Sequence, residues 1–370
     1  MPDDLTRASL RLALTPGIGG VSFRALLDRF GSAEAAVKAT AVELAEVPGF
    51  SRKRAEETVR ARAGIDVDTE VASAAEHGVR ILPYGAAEYP VALTYLAAPP
   101  AVLYVRGHLV AEDCRAFAIV GSRRSSLYGQ EQAERFAAGL AGAGFTIVSG
   151  LARGIDICAH QGALKAGGRT IAVLGNGLPA IYPPEHSTRA DEVADHGAVI
   201  TEFPMGTQPA PENFPRRNRV ISGLSLGVLV IEAGRRSGAL ITASRAAEQG
   251  KDVFALPGRV DTPFTQGTHR LIQDGAKLVH SLEDILDEYP DLGLASVGKE
   301  DGQESLPLGP QLDPQEEAIL GVLDGEPLTA DQIAERAELP VTAVTSQLTL
   351  LELKRRVKAL PGRRFARRGN

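Results

Sequence analysis

Between residues 116 and 281 the chain repeats one pattern, a short apolar run followed by a segment long enough for a helix. The runs are AFAIVG at 116–121, TIVSG at 146–150, TIAVLG at 170–175, AVITEF at 198–203, GVLVIEA at 227–233, DVFALPG at 252–258 and KLVHS at 277–281. A strand with one wet face alternates apolar and polar positions; these runs do not, so both of their faces must be covered. Helical crossovers between such strands predict a doubly wound parallel sheet, an α/β domain whose ligands meet the carboxyl ends of the strands. The preceding stretch, VRILPYGAAEYPVALTYLAAPPAVLYVRG at 79–107, is rich in proline and aromatic residues and predicts extra strands or a lead-in, giving an extended Rossmann-like domain over 66–290.

Both flanks read differently. Residues 5–62 are helical in pattern, with Leu26, Leu27 and Phe30 near helical spacing before Gly31, and an all-helical domain is expected over 1–65. It carries an internal echo: TPGIGGVSFRALL at 15–27 is answered by VPGFSRKRAEETV at 47–59. Each copy places Pro-Gly, an apolar residue and a small one between helices, which resembles the hairpin of helix-hairpin-helix or SAM-like modules, where turn amides can meet a DNA phosphate. Pro16, Gly17, Pro48 and Gly49 equally serve simply to turn the chain, because Arg52, Lys53 and Arg54 stand beside one hairpin alone. Periodicity is lost over 291–311, which reads as a linker. Over 312–370 three short helices, with Thr329 and Pro340 near helix starts, precede a basic tail in the order of a winged-helix (DML1-like) domain. The tail holds Lys354, Arg355, Arg356, Lys358, Arg363, Arg364, Arg367 and Arg368, yet the third helix offers Thr342, Thr345, Ser346, Gln347 and Thr349 without a cation. DNA contact and contact with protein are both open to it.

Composition narrows the classes. At 370 residues, 44% hydrophobic and 23% charged, the chain has the proportions of a soluble globular protein of several domains. Two cysteines, Cys114 and Cys158, build neither a disulfide framework nor a thiolate zinc site, and a reducing, cytoplasmic compartment is expected. The N-terminus lacks a secretory pattern and no stretch reaches about 18 apolar residues, so no membrane span is expected. A net charge of -6 argues against a chain coated all over with nucleic acid and leaves local distribution to decide. None of the seven histidines has the paired spacing of a metal site, and a lone His160 reads as structural.

The phosphate devices of known nucleotide enzymes are incomplete. There is no G-x-x-x-x-G-K-[ST], and GNGLPA at 175–180 runs into Pro183 and Pro184, which prevent the helix a dinucleotide site needs. What stands at the strand ends is glycine, serine and arginine: VGSRRSSLYG at 120–129, SGLARG at 149–154 and ENFPRRNRVISGLS at 212–225. Gly121 and Gly150 allow close approach of backbone to a ligand, Ser122 and Ser149 offer hydroxyls, and Arg123 and Arg153 supply charge at turns suited to phosphate. In the third cluster Val220, Ile221 and Leu224 form a buried stripe after Pro215, with Asn218 and Arg219 expected to point off it. Phe214 beside arginines is what a groove for unstacked bases requires; its alternative is a core position. A rival reading is an enzyme of the nucleotide phosphoribohydrolase type, with Glu232 and Arg235 of VIEAGRRSG as its acid and cation, although the glycine pair of P-G-G-x-G-T-x-x-E is missing. That acid is expected instead to satisfy nearby amides or an arginine.

Taken together, these motifs, with VIEAGRRSGALITASRAAEQGKDVFALPG and QGTHRLIQDGA, resemble the DprA/Smf family of DNA-processing proteins over about residues 80–285. The resemblance implies a non-enzymatic protein without cofactor that binds and protects single-stranded DNA during natural transformation, helps load the RecA recombinase, and forms a homodimer through the Rossmann-like domain. It places the family's G-S-R turn on Gly121, Ser122 and Arg123, the S-G-L-A-[KR]-G turn on Ser149, Gly150, Arg153 and Gly154, and the F-P-x-R-N-R segment on Phe214, Arg217, Asn218 and Arg219. One departure is Pro184 and Glu185 after IYP, where some members carry a basic residue. The aperiodic stretch yields a prediction: limited proteolysis should cut within 291–311 and leave a stable fragment of about residues 1–290 that keeps single-strand binding. Mass spectrometry of the fragment and a binding assay check it; activity confined to the 312–370 piece would put the main site in the wrong domain.

Overall fold

The apolar runs form the strands of one nine-stranded sheet: β1 Arg80–Pro83, β2 Val102–Gly107, β3 Ala116–Val120, β4 Thr146–Ser149, β5 Thr170–Val173, β6 Ala198–Thr201, β7 Gly227–Val230, β8 Asp252–Ala255 and β9 Lys277–Leu278, in the order β1-β2-β6-β5-β4-β3-β7-β8-β9. The computed structural model describes residues 2–290, 314–323, 328–353, 356–360 and 364–367, and the chain divides into two units, Met1–Gly298 and Lys299–Asn370. The expected linker at 291–311 lies outside the described residues. From β6 across to β9 all pairings are parallel, while β1 and β2 add to the β6 edge as antiparallel strands, with Tyr104 opposite Thr201. The proline-rich segment 79–107 therefore extends the sheet.

Why the runs are apolar throughout is plain in β3. Ala116, Ala118 and Val120 face a layer made by helices Asn213–Leu224 and Gly238–Glu248, while Phe117 and Ile119 face helices Leu127–Gly142 and Ile155–Lys165. The chain lays β4, β5 and β6 on one side of β3 and β7, β8 and β9 on the other. That reversal opens a crevice above the carboxyl ends of β3 and β7, where loops of doubly wound sheets hold their ligands.

The N-terminal helices are built into this unit. In helix Asp4–Leu14, capped by the Asp3 side chain on the Thr6 amide, Leu10 joins the core beneath the sheet with Tyr104, Ala172 and Val199. Leu12, on another side of the same helix, belongs to the core of the helical module with Phe23, Leu26 and Leu44. The two echoed turns are alike, with Gly17 and Gly49 at φ +85° and +86°. Arg54 ties them together: its guanidinium donates to Gly17 O and Ser22 Oγ, each at 2.7 Å, and to Gly49 O, and lies 4.3 Å from the Phe50 ring centroid. Arg52 and Lys53 stay outward.

In the second unit helices Pro314–Val322, Ala330–Ala337 and Val341–Leu353 pack around Ile319, Leu323, Ile333, Val344 and Leu348. A sheet of β10 Leu328–Thr329, β11 Val357–Leu360 and β12 Arg364–Arg367, in the order β10-β12-β11, completes the winged helix. Thr329 caps the middle helix in a reciprocal box with Gln332. On the third helix Thr345 and Ser346 donate their hydroxyls back to Val341 O and Thr342 O. Among the described residues no helix is long and apolar enough to cross a membrane. Because Leu10 is fully buried where helix and sheet meet, Leu10→Ala should cost about 2–5 kcal/mol and lower the urea midpoint of the whole first unit. A sheet transition that stays at its wild-type midpoint would show instead that the helical module unfolds alone.

Candidate nucleic-acid interface

Three strand-end segments surround the crevice, and each is held by a buried group. After β3 the turn Gly121–Ser126 enters helix Leu127–Gly142. Ser122 N donates to Glu232 O at 2.8 Å, Ser126 N donates to Glu232 Oε2 at 2.8 Å, and the Ser126 hydroxyl donates to Oε1. Glu232 is 2% exposed, and Gly129 passes so close that a Cβ there would lie 2.4 Å from its carboxyl carbon. This carboxylate is a cap on a turn. The Ser122 hydroxyl closes the same turn, donating to Arg124 O at 2.9 Å and accepting from Arg124 N at 3.1 Å, which leaves Arg123 and Arg124 outside.

The turn after β4, expected to cradle a phosphate, is filled from within. Ser149 Oγ is buried and donates to Ile119 O at 2.6 Å. Leu151 adopts φ +56° in a fully buried position and Gly154 φ +76°, a cramped path in which a Cβ on Gly154 would meet Ser122 O at 2.3 Å. The buried Asp156 carboxyl lies by this turn, its pKa raised chiefly by burial against the opposing pull of Arg217 and of the Ala152 and Gly150 amides. Ile155 N is taken by Ser122 O at 3.3 Å and Ile157 N by Ala152 O at 3.1 Å. The Ser149 hydroxyl and the amides of Ile155 and Ile157 are thus spent within the fold.

Helix Asn213–Leu224 supplies the third wall. Arg217 is 4% exposed; its Nη1 donates to Gly150 O at 2.8 Å and to Val173 O, and its Nε to Asn218 Oδ1 at 3.1 Å. The guanidinium fills the space a Cβ on Gly150 would need, 2.5 Å away. Burial pushes its pKa down to about 10, with Asp156 working against the fall. Asn218 is also buried, its Nδ2 3.3 Å from Gly238 O, because helix Gly238–Glu248 packs on that flank. Arg219 faces away and pairs with Glu202 in a nearly enclosed site. Arg217 thus forms a floor, while Asn218 and Arg219, expected to point off the buried stripe, are a covered flank and a distant ion pair.

The exposed groups are few. Phe214 is half-buried, 5.8 Å from the Tyr182 ring centroid, with the Arg123 guanidinium 4.7 Å from its own. Arg153, at the rim, pairs with Glu185 at 2.5 Å, and the guanidinium holds that carboxyl below the usual carboxylate range. The crevice encloses about 680 Å³ and brings together Gly121, Ser122, Arg123, Phe214, Arg217 and Asn218 of the expected residues. Arg124, Asp156, Tyr182 and Arg236 also line it, beyond the residues expected from sequence. Arg236 stands in the loop after β7, across the switch point from Arg123, and its place at a strand end was the signal for it. His160 is elsewhere, its Nδ1 2.7 Å from Thr170 Oγ1, with burial pushing its pKa down to about 3. Among the described residues no three His, Cys, Asp or Glu side chains are grouped to hold a metal.

Fold and crevice together define an extended Rossmann-like protein with a helix-hairpin-helix module before it and a winged helix after it. The family model described as DNA recombination-mediator protein A matches residues 80–290, a DprA-like N-terminal HHH domain matches 3–73 and a DprA winged helix domain matches 303–363. The chain belongs to the DprA/Smf family. It is 44% identical to protein Smf of Escherichia coli over 76% of each chain and 35% identical to protein Smf of Synechocystis over 95% of this chain and 96% of that one. The crystal structure of DNA processing protein A from Streptococcus pneumoniae superposes with a TM-score of 0.68 at 34% identity, covering 78% of this chain and 98% of that one. The protein of the same name from Helicobacter pylori, whose structure concerns its single-stranded DNA binding mode, gives 0.52 at 30% identity, covering 57% and 94%. The inward placement of Arg217 generates a prediction: Arg217→Ala should destabilise the fold by about 2–5 kcal/mol, since it leaves Gly150 O and Val173 O buried without their donor and removes the charge that opposes the burial of Asp156. Thermal melts check it, and a variant of wild-type stability with weakened DNA affinity would make Arg217 a phosphate contact after all.

Proposed function

We propose that the protein binds single-stranded DNA in the crevice above β3 and β7, with little sequence preference and without catalysis, and that it protects the strand and helps load the RecA recombinase during natural transformation. The observation that carries this reading is the pairing of a half-exposed aromatic platform, Phe214 against Tyr182, with Arg123 over its face. Stacking on a π-face suits any base, and phosphate neutralisation suits any sequence. Arg124 and Arg236 line the same crevice. The enzyme alternative is weakened because both oxygens of Glu232 are spent on Ser126. The single-stranded DNA binding mode of the Helicobacter pylori protein agrees with the reading, and the recombinase partner rests on family membership. A homodimer through the Rossmann-like domain is part of the proposal; the two-residue edge strand β9, with Leu278 45% exposed, beside a cavity lined by Leu240, Ala243, Val253 and Leu271, is an edge a second copy could cover.

Single variants separate the roles. Arg123→Ala should weaken binding to every sequence alike and reduce the slope of log affinity against log salt by about 0.7. Phe214→Ala should cost about 1–3 kcal/mol of binding with the slope unchanged and the melting temperature kept. Duplex of equal length should bind far more weakly than single strand. Fluorescence anisotropy across a salt series, with melting curves on the same samples, checks all three; a folded Arg123→Ala protein with wild-type affinity and slope would remove the crevice from consideration.

A further inference from the structure

Among the described residues Arg123, Arg124 and Arg236 form no ion pair at the crevice, whereas Arg153 at its rim is already engaged. Arg153 Nε lies 2.5 Å from Glu185 Oε1, with the two side chains 58% and 49% exposed. Solvent-exposed pairs between long side chains are ordinarily loose, because each side chain gives up rotamer freedom to meet the other. This one is held from both sides. His186, next to Glu185, sets its Nδ1 2.8 Å from Leu151 O, in the turn that carries Arg153. Tyr182, in the same segment, lies against Phe214. The segment that bears Glu185 is therefore fastened to the turn at one point and to the platform at another, and the carboxylate arrives at Arg153 with little freedom left to lose.

A carboxylate offers a guanidinium the same acceptor pattern as the two non-bridging oxygens of a phosphodiester. We propose that Glu185 is a built-in competitor for the DNA backbone: it occupies Arg153 in the free protein, and a strand gains that contact only where one of its phosphates displaces the carboxylate. The inference rests on the crevice being the single-strand site. Displacement exchanges one ion pair for another and leaves Glu185 facing a phosphate of like charge, so Arg153 adds little to the affinity of a lone nucleotide. A strand anchored at Arg123 and stacked on Phe214 presents its next phosphate to Arg153 at high effective concentration, and the exchange then succeeds. Glu185 thereby selects a chain of phosphates over a mononucleotide.

The test is a double-mutant cycle on the full chain with oligothymidine and thymidine monophosphate as probes, comparing wild type, Glu185→Gln, Arg153→Ala and the double variant. Glu185→Gln should bind the oligonucleotide about two- to fivefold tighter at low salt, narrow the preference for oligonucleotide over monophosphate, and lose its gain when Arg153 is alanine. Melting curves establish that all four proteins are folded. Unchanged affinity in Glu185→Gln overturns the inference, as does an equal gain with and without Arg153, which would mean a repulsion acting at a distance. If the wild-type chain binds the oligonucleotide and the cycle shows no coupling, only this inference fails; if the wild-type chain does not bind it, the crevice reading fails as well.

Discussion

The Arg217 guanidinium, buried between the carboxyl ends of β4 and β5, is the interaction on which the crevice is built. It joins Gly150 O and Val173 O across two neighbouring strands, and no side chain other than hydrogen at Gly150 leaves room for it. The Asp156 carboxyl supplies an opposing charge. Cation, carbonyls and carboxylate form one polar set at the floor of the crevice, and such a set is stable only when its members are satisfied. The strained turn at Leu151 and Gly154 persists because this set surrounds it. With the turn in place, Gly154 slides beneath Ser122 O, and the neighbouring loop is pushed outward with Arg123 at its crest.

Glu232 does for β3 and β7 what Asp156 does for β4. Each is an acid near a strand end, in the position where catalysis in doubly wound sheets is usually sought; Glu232 is bonded by the Ser126 amide and hydroxyl, and Asp156 is buried. With these acids internal, the groups left at the mouth of the crevice are aromatic and cationic, with Glu185 at the rim held by Arg153. That combination suits the polyanion with flat side groups proposed above.

Much of this was legible in the sequence. Strands β3 to β9 announced themselves through unbroken apolar runs, and the glycine and arginine clusters fell at their carboxyl ends as a doubly wound sheet requires. The antiparallel pairing of β1 and β2 was not legible, because prolines and aromatics blur the strand pattern over 79–107 and pairing partners leave no local mark. Arg217 could have been placed correctly: it precedes Val220, Ile221 and Leu224 by three, four and seven residues, so it lies on their buried stripe. Asn218 and Arg219 could not, since one is covered by helix Gly238–Glu248 and the other meets Glu202, both contacts made by the tertiary fold. The inward turn of Asp156 was not legible for a related reason. An acid at the start of a helix is compatible with an outward cap or an inward plug, and only the path of the chain through Gly154 decides.

Helix Asp4–Leu14 lends Leu12 to the helical module and Leu10 to the underside of the sheet. The strands it packs against, β1 and β2, follow it only after the rest of the helical module. Contacts between segments so far apart in sequence form late, since the loop between them must first be closed. The helical module can collapse on Phe23, Leu26 and Leu44 while the chain is still growing, but one side of its leading helix must wait for the sheet. Synthesis order thus leaves the apolar face that carries Leu10 exposed until the first strands of the sheet have been made.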